Sequence, residues 1–179
     1  MNKHFLAVVS VAFILGGCAS SVTRAPAAVV TPSASNERAG ASGPRQFSSV
    51  TVSLSPEAKD KAIDNLKFNQ DELLSHLKRA LESKSLLNGS TDKALPRLDV
   101  VVTDMRVRSN FSAIMWGFMA GADSIKGDVV MTDPAGKELD RFLVSTSYAL
   151  GGLAGGQDGT RMSWLYEKFA EETVRELIK

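Results

Sequence analysis

The chain contains a single cysteine, Cys18, which follows a short apolar run near its start. Without a second cysteine no disulfide can form within the chain, so a folded domain must be held together by packing alone. Hydrophobic residues make up 44% of the 179 positions, which is enough apolar material for a core. We therefore expect one domain of ordinary size with a hydrophobic core.

The first 17 residues have the pattern of a secretory signal peptide. Lys3 and His4 give a basic start, and residues 5–15 are apolar except for Ser10. The run is too short for a transmembrane helix, which needs about 20 apolar residues. Two small residues, both glycine, separate the run from the cysteine. This order of a basic start, an apolar stretch and small residues indicates an exported protein.

Leu15-Gly16-Gly17-Cys18 resembles the lipobox of bacterial lipoproteins, which is a Leu, two small residues and then Cys. The resemblance implies a diacylglycerol on the Cys18 sulfur, cleavage before Cys18 and a further acyl chain on its amine. Two or three acyl chains would hold the protein durably in a membrane, since each buried methylene contributes about 0.8 kcal/mol to the free energy of binding. Ala19 follows the cysteine at the position where an Asp would signal retention in the inner membrane. The resemblance therefore implies that the lipoprotein is sorted to the outer membrane. The alternative is an ordinary signal peptide that leaves Cys18 as an incidental residue.

Composition divides the chain into three parts. Residues 1–17 are the predicted signal peptide. Residues 18–46 are the lipidated cysteine and a following segment rich in Ser, Ala, Pro, Gly and Thr, which has only three sizeable apolar residues. Such a segment cannot offset its ordering entropy, so we predict a disordered tether that spans roughly 30 Å. Residues 47–179 are the predicted periplasmic domain.

Hydrophobic periodicity predicts six elements in the domain. They are a strand at 49–54, a helix from Asn69 to near Asn88, strands at 98–107, 125–132 and 138–148, and a helix from about Thr160 to the end. Residues 57–68 fit either a short helix or an extended piece. Pro134 and Gly136 predict a tight turn between the last two strands.

The order β-α-β-β-β-α predicts an α+β fold. Strands with one polar face and two amphipathic helices favour a two-layer sandwich. We expect an antiparallel or mixed sheet of about four strands with both helices on one face. Residues 121–133, followed by a turn glycine, a strand, a double-glycine loop and a helix, also resemble envelope lipoproteins known only as a domain of unknown function. That resemblance implies no activity and no catalytic residue.

Residues able to carry catalysis are sparse. Beyond the leader, His76 is the only histidine and Cys18 the only thiol. This count excludes a zinc site of His and Cys ligands, and it leaves a Ser-His-acid arrangement possible only with His76 as the base. We therefore predict a protein that is not an enzyme and has no metal or cofactor. A hydrolase would need two of the strand acids to converge. Those acids are Asp99, Asp104, Asp128, Asp133 and Asp140.

A glycine-rich stretch, residues 151–159, precedes the last predicted helix, where phosphate-binding loops occur. Gln157 stands where a P-loop that starts at Gly151 needs Lys, and no Gly-x-Gly-x-x-Gly fits the stretch. The pattern favours a mobile connection over a phosphate site. Docking to a partner is an open alternative for this stretch.

Residues 111–122 join two predicted strands without a single charge. Ile114, Met115, Trp116 and Phe118 supply four large apolar side chains in this connection. Long connections are often functional, and exposed apolar patches mark interfaces. We predict these four residues as an interface with another envelope protein or with the bilayer. The alternative is that the segment extends a strand or closes the core as a short helix.

The charges are balanced, with 21 basic and 20 acidic residues, which gives no reason to expect a nucleic-acid partner. Our leading hypothesis is a non-enzymatic outer-membrane lipoprotein whose periplasmic domain binds other envelope components. Its role would be that of an accessory subunit in a transport or assembly complex. The alternative is a lipoprotein that binds a small molecule or lipid, with the apolar segment and the glycine loop as the mouth of a pocket.

Overall fold

A computed structural model describes residues 18–24, 46–65, 67–88, 94–108, 121–149 and 158–179. Five strands and three helices lie within these ranges. In chain order they are β1 (Cys18–Thr23), β2 (Ser49–Leu54), α1 (Pro56–Asp64), α2 (Gln70–Ser83), β3 (Arg97–Arg106), β4 (Asp123–Thr132), β5 (Glu138–Tyr148) and α3 (Asp158–Leu177).

The strands form one mixed sheet in the order β1-β5-β4-β3-β2. Every neighbouring pair is antiparallel except β2 and β3, which are parallel and are joined through α1 and α2. The turn between β4 and β5 is closed by the Gly136 N–H, which donates to the Asp133 carbonyl at 3.0 Å. The predicted α+β fold, the mixed sheet and this turn are confirmed.

The prediction of a disordered tether over residues 18–46 is wrong for its first part, because residues 18–23 form the edge strand β1. Six residues of β1 pair with Leu143–Tyr148 of β5. Ser20 donates to Glu172 at 2.8 Å, and Arg24 donates to Asp140 and Glu176. Backbone pairing with a distant strand offsets the ordering entropy, and local composition carries no sign of it. Residues 25–45 of the predicted tether lie outside the described residues.

The segment that fits either a helix or an extended piece is the helix α1. Ser55 caps it by accepting the Ala58 N–H at 3.1 Å, and Pro56 takes the first helical position.

The Asn69 side chain caps α2 by accepting the backbone N–H groups of residues 71 and 72, as predicted. Helix α2 ends at Ser83, earlier than predicted. Ser85 then adopts a positive φ of 56°, which reverses the chain and buries Leu86.

Helices α2 and α3 pack together on one face of the sheet and form the second layer. Leu73, Leu77 and Leu81 supply the buried stripe of α2, and Phe169 lies in the buried stripe of α3. A Cβ built on Gly127 of β4 would lie 3.1 Å from Phe169 Cζ, so the glycine allows α3 to approach the sheet closely. The two-layer sandwich with both predicted helices on one face is confirmed.

The strand register brings the ends of four strands, β1, β5, β4 and β3, side by side at one end of the sheet. Cys18 of β1 lies opposite Tyr148 of β5, and Tyr148 in turn lies opposite Asp123 of β4. Arg106, at the end of β3, lies opposite Ser124. We refer to this region, where these strands start or end, as the Cys18 end of the sheet. Helix α3 begins near it, because Trp164 of α3 contacts the Tyr148 ring.

Candidate functional site

Two arginines and an aspartate form a buried charged cluster at the Cys18 end. Arg108 follows β3, Asp123 is the first residue of β4, and Arg161 lies in the first turn of α3. Asp123 has no exposed surface, and the exposed fractions of Arg108 and Arg161 are 4% and 1%. Charged side chains this deeply buried are rare in proteins unless they are paired. This cluster is the most unusual group of side chains among the described residues.

Both oxygens of Asp123 accept hydrogen bonds from Arg108. Oδ1 accepts the Arg108 backbone N–H at 2.7 Å, and Oδ2 accepts from its Nη2 at 3.1 Å. The Nε atom of Arg161 lies 3.3 Å from the same Oδ2. The carboxylate is therefore enclosed by donors and shielded from solvent. It has no surface from which to take a proton from a substrate.

The guanidinium groups of the cluster also bind the backbone of neighbouring elements. Arg108 donates from Nη2 to the Tyr148 carbonyl at 3.2 Å and from Nη1 to the Ala149 carbonyl at 3.5 Å. Arg161 donates from Nη2 to the Arg108 carbonyl at 3.2 Å. The cluster thus links the ends of β3 and β5 to the starts of β4 and α3. These are the described residues that flank segments 109–120 and 150–157.

The arrangement fits a positioning role better than a chemical one. Removing ions from water is costly, and a buried pair offsets that cost only with good geometry and further hydrogen bonds. Here the further bonds go to the three backbone carbonyls just named. The cluster therefore fixes where two connections leave β3 and β5 and where they reach β4 and α3. It is the strongest candidate for the part of the domain that organises the Cys18 end.

Sequence reasoning did not single out Arg108, Asp123 or Arg161. One feature of the sequence could have revealed the cluster. Asp123 lies on the same, buried face of β4 as Ile125, Gly127 and Val129. An acid in the apolar phase of a strand requires a buried partner. The identity of that partner was not readable, since Arg161 is 38 positions away in sequence and comes from a different element.

The predicted interface residues Ile114, Met115, Trp116 and Phe118 lie outside the described residues. Their nearest described neighbours, Arg108 and Gly121, both lie at the Cys18 end. The glycine stretch 151–159 is also undescribed as far as residue 157. It follows Ala149, at the same end. Both segments that the sequence marked as candidates are therefore connections of the Cys18 end.

Cys18, the predicted lipidation site, is the first residue of β1. Its backbone pairs with Tyr148, whose carbonyl accepts from Arg108. The predicted attachment point is therefore one strand away from the buried cluster. No spacer separates Cys18 from the folded sheet.

The strand acids do not converge on a shared site. Asp99 accepts from Thr51, Asp104 pairs with Lys61, and Asp128 pairs with Arg141. Asp133 accepts the Lys137 N–H in the β4–β5 turn, and Asp140 pairs with Arg24. Each acid thus has a partner of its own that is not another carboxylate. Two carboxylates facing one cleft, as glycoside hydrolysis needs, are not found for these five acids.

His76 lies on α2 within 3.3 Å of the Ser163 hydroxyl of α3, measured from its Nε2. Partial burial and the nearby charge of Arg79 lower the pKa of His76, so the neutral ring is favoured. The pair borders an open depression of about 400 Å³ between α2 and α3. Glu167, in the same wall, is exposed. The pair links the two helices, and nothing in this open groove encloses a substrate.

The described part of the chain contains no helix long and apolar enough to cross a membrane. Within the same ranges, no three His, Cys, Asp or Glu side chains come close enough together to hold a metal ion.

Comparison with known proteins identifies a family. A family model described as Domain of unknown function (DUF4410) matches residues 26–152, which is more than half of the chain. No curated protein sequence matches the chain.

Two similar solved structures are a dodecamer of PelC from Paraburkholderia phytofirmans and a minor lipoprotein from Acinetobacter baumannii. The PelC structure is 11% identical, with a TM-score of 0.42, and the match covers 86% of this chain and 95% of that chain. The minor lipoprotein is 15% identical, with a TM-score of 0.39, and the match covers 73% and 92%.

Proposed function

We propose that this chain, which belongs to the family described as Domain of unknown function (DUF4410), is an outer-membrane lipoprotein anchored through Cys18. Its α+β domain faces the periplasm and binds another envelope component, as an accessory subunit of a transport or assembly complex. It performs this role without catalysis.

One observation carries the anchor proposal. Cys18 ends the lipobox-like sequence Leu15-Gly16-Gly17-Cys18, and it is also the first residue of a strand built into the sheet. Cleavage before Cys18 would remove the leader and leave every residue of β1 in place.

The fixed geometry of the Cys18 end supports a binding role. The buried cluster of Arg108, Asp123 and Arg161 holds the ends from which two uncharged or glycine-rich connections depart. Pre-organised binding loops on a rigid scaffold lose less entropy on association. Neither the strand acids nor the pair His76 and Ser163 forms an enclosed site. Binding is therefore the better supported role for this domain.

In-cell cross-linking followed by purification from solubilised envelope tests the binding role. The variant with Trp116→Ser and Phe118→Ser is compared with Leu139→Ser, which changes an exposed apolar residue in β5 far from the Cys18 end. We expect the double variant, but not Leu139→Ser, to lose its cross-linked partner while both keep the far-ultraviolet spectrum of the parent. Unchanged recovery by a folded double variant would refute the predicted interface.

Membrane fractionation tests the anchor in the same cells. We expect Cys18→Ser to release the chain from membranes after a high-salt wash, because the acyl chains are its attachment. A Cys18→Ser chain that stays with the membrane would show that another part of the chain holds it.

A further inference from the structure

An exposed tryptophan lies beside the Cys18 end. The exposed fraction of Trp164, in the second turn of α3, is 46%. Its ring meets the Tyr148 ring edge to face, with centroids 5.5 Å apart and an interplanar angle of 77°. Tyr148 is buried, and its Cα is the pairing partner of Cys18. Strand spacing and side-chain reach place the Trp164 ring within roughly 15 Å of the Cys18 Cα.

The absence of a spacer at Cys18 matters for what Trp164 can reach. Acyl chains on Cys18 would enter the bilayer within one residue of the sheet, because β1 starts at that residue. A disordered tether over residues 18–46 would have let the domain stand away from the membrane, but the first residues of that segment are held in β1. The Cys18 end would therefore lie against the headgroups. A side chain close to Cys18 and exposed on the surface would meet the same layer.

The opposite end of the sheet differs in chemistry. It carries the ion pairs of Arg24 with Asp140 and of Lys179 with Glu176, which favour water. The exposed Ile178 lies just beyond the end of α3, 14 residues and about 21 Å along the helix from Trp164. The two ends of the domain therefore offer a matched pair of positions, one beside Cys18 and one remote from it.

We propose that Trp164 lies in the headgroup region of the membrane that holds Cys18. Trp164 and the acyl chains then form two contacts with one lipid surface, and they orient the domain with the Cys18 end toward the bilayer. Tryptophan favours this layer because its ring is apolar while its indole N–H can still find a polar partner. The inference depends on the proposed lipidation of Cys18.

Tryptophan fluorescence in vesicles tests the contact. The chain has two tryptophans, so Trp116→Phe leaves Trp164 as the only one. The full lipidated protein is reconstituted into vesicles of phosphatidylethanolamine and phosphatidylglycerol with a nitroxide quencher at headgroup depth. The matched control carries Trp116→Phe, Trp164→Phe and Ile178→Trp, which moves the only tryptophan to the remote end.

We expect Trp164 emission to shift to shorter wavelength on reconstitution and to lose intensity to the quencher, and the control emission to do neither. Equal quenching of both proteins, or no shift for Trp164, would overturn the inference. If Trp116→Phe unfolds the chain, Trp164→Phe in the parent serves instead, and it should reduce the emission lost to the quencher; an undiminished loss would overturn the inference. Failure of lipidation is recognised separately, because an unacylated chain does not float with the vesicles.

Discussion

Cys18 lies directly opposite Tyr148 in the antiparallel pairing of β1 with β5. The residue that we predict to be acylated is therefore part of the sheet. Tyr148 connects this position to the rest of the Cys18 end, since its carbonyl accepts from Arg108 and its ring packs against Trp164. An anchor at Cys18 would act on a rigid domain at a fixed point, which determines the face that the domain presents to a membrane.

The buried cluster should be a large contributor to stability. Asp123→Asn removes the negative charge that pairs with the two buried guanidinium groups of Arg108 and Arg161, and breaking a buried pair costs roughly 3 to 5 kcal/mol. We expect the free energy of unfolding in urea to fall by about that amount. Asp128→Asn is the matched control, because Asp128 pairs with Arg141 on a partly exposed surface where such pairs contribute about 0 to 1 kcal/mol. Equal losses in the two variants would contradict a structural role for the cluster.

Much of the fold follows from local sequence, whereas the candidate site does not. Alternating apolar residues in β3 and β5 and the helical stripe of α3 are local patterns, so their positions were predictable. The strand β1 was missed because the Ser- and Ala-rich residues 19–23 become ordered only through pairing with β5, more than 100 positions away. The partners of Asp123 were missed for the same reason. Long-range pairing leaves no local trace in one sequence.

The attachment of β1 should weaken in acid. Glu176 accepts from Lys179 and from Arg24, and these bonds lower its pKa below the ordinary value of 4.5 despite burial. A lowered pKa in the folded state means that the unfolded state binds more protons as pH falls. The contribution of Glu176 is thus fully present above pH 4.5 and is lost as pH falls through the lower, folded value.

Glu176→Gln tests this dependence through urea unfolding at a series of pH values from 7 to 3. We expect the variant to be less stable than the parent at pH 7 and to lose less stability between pH 5 and pH 3. Glu82→Gln, at an exposed position of α2, provides the control and should follow the parent curve. A Glu176→Gln curve parallel to the parent curve would exclude the proposed coupling.

Gly127 sets the distance between β4 and α3. An added Cβ would lie 3.1 Å from Phe169 Cζ and 3.3 Å from the Val101 carbonyl oxygen, so larger side chains force the layers apart. We expect Gly127→Val to reduce the free energy of unfolding by about 1 to 3 kcal/mol, as overpacking does. Gly159→Ala, near the start of α3 with open space around its Cβ position, should be neutral or slightly stabilising. Equal thermal midpoints for the two variants would show that α3 yields without cost.

The most direct measurement of the anchor proposal is the mass of the N-terminal peptide of the chain extracted from membranes with detergent. We expect this peptide to begin at Cys18 and to carry a diacylglyceryl group on sulfur together with an acyl group on the amine. An N-terminus at any other residue, or a Cys18 that carries a free thiol, would contradict the proposal that a lipid on this residue holds the sheet against the membrane.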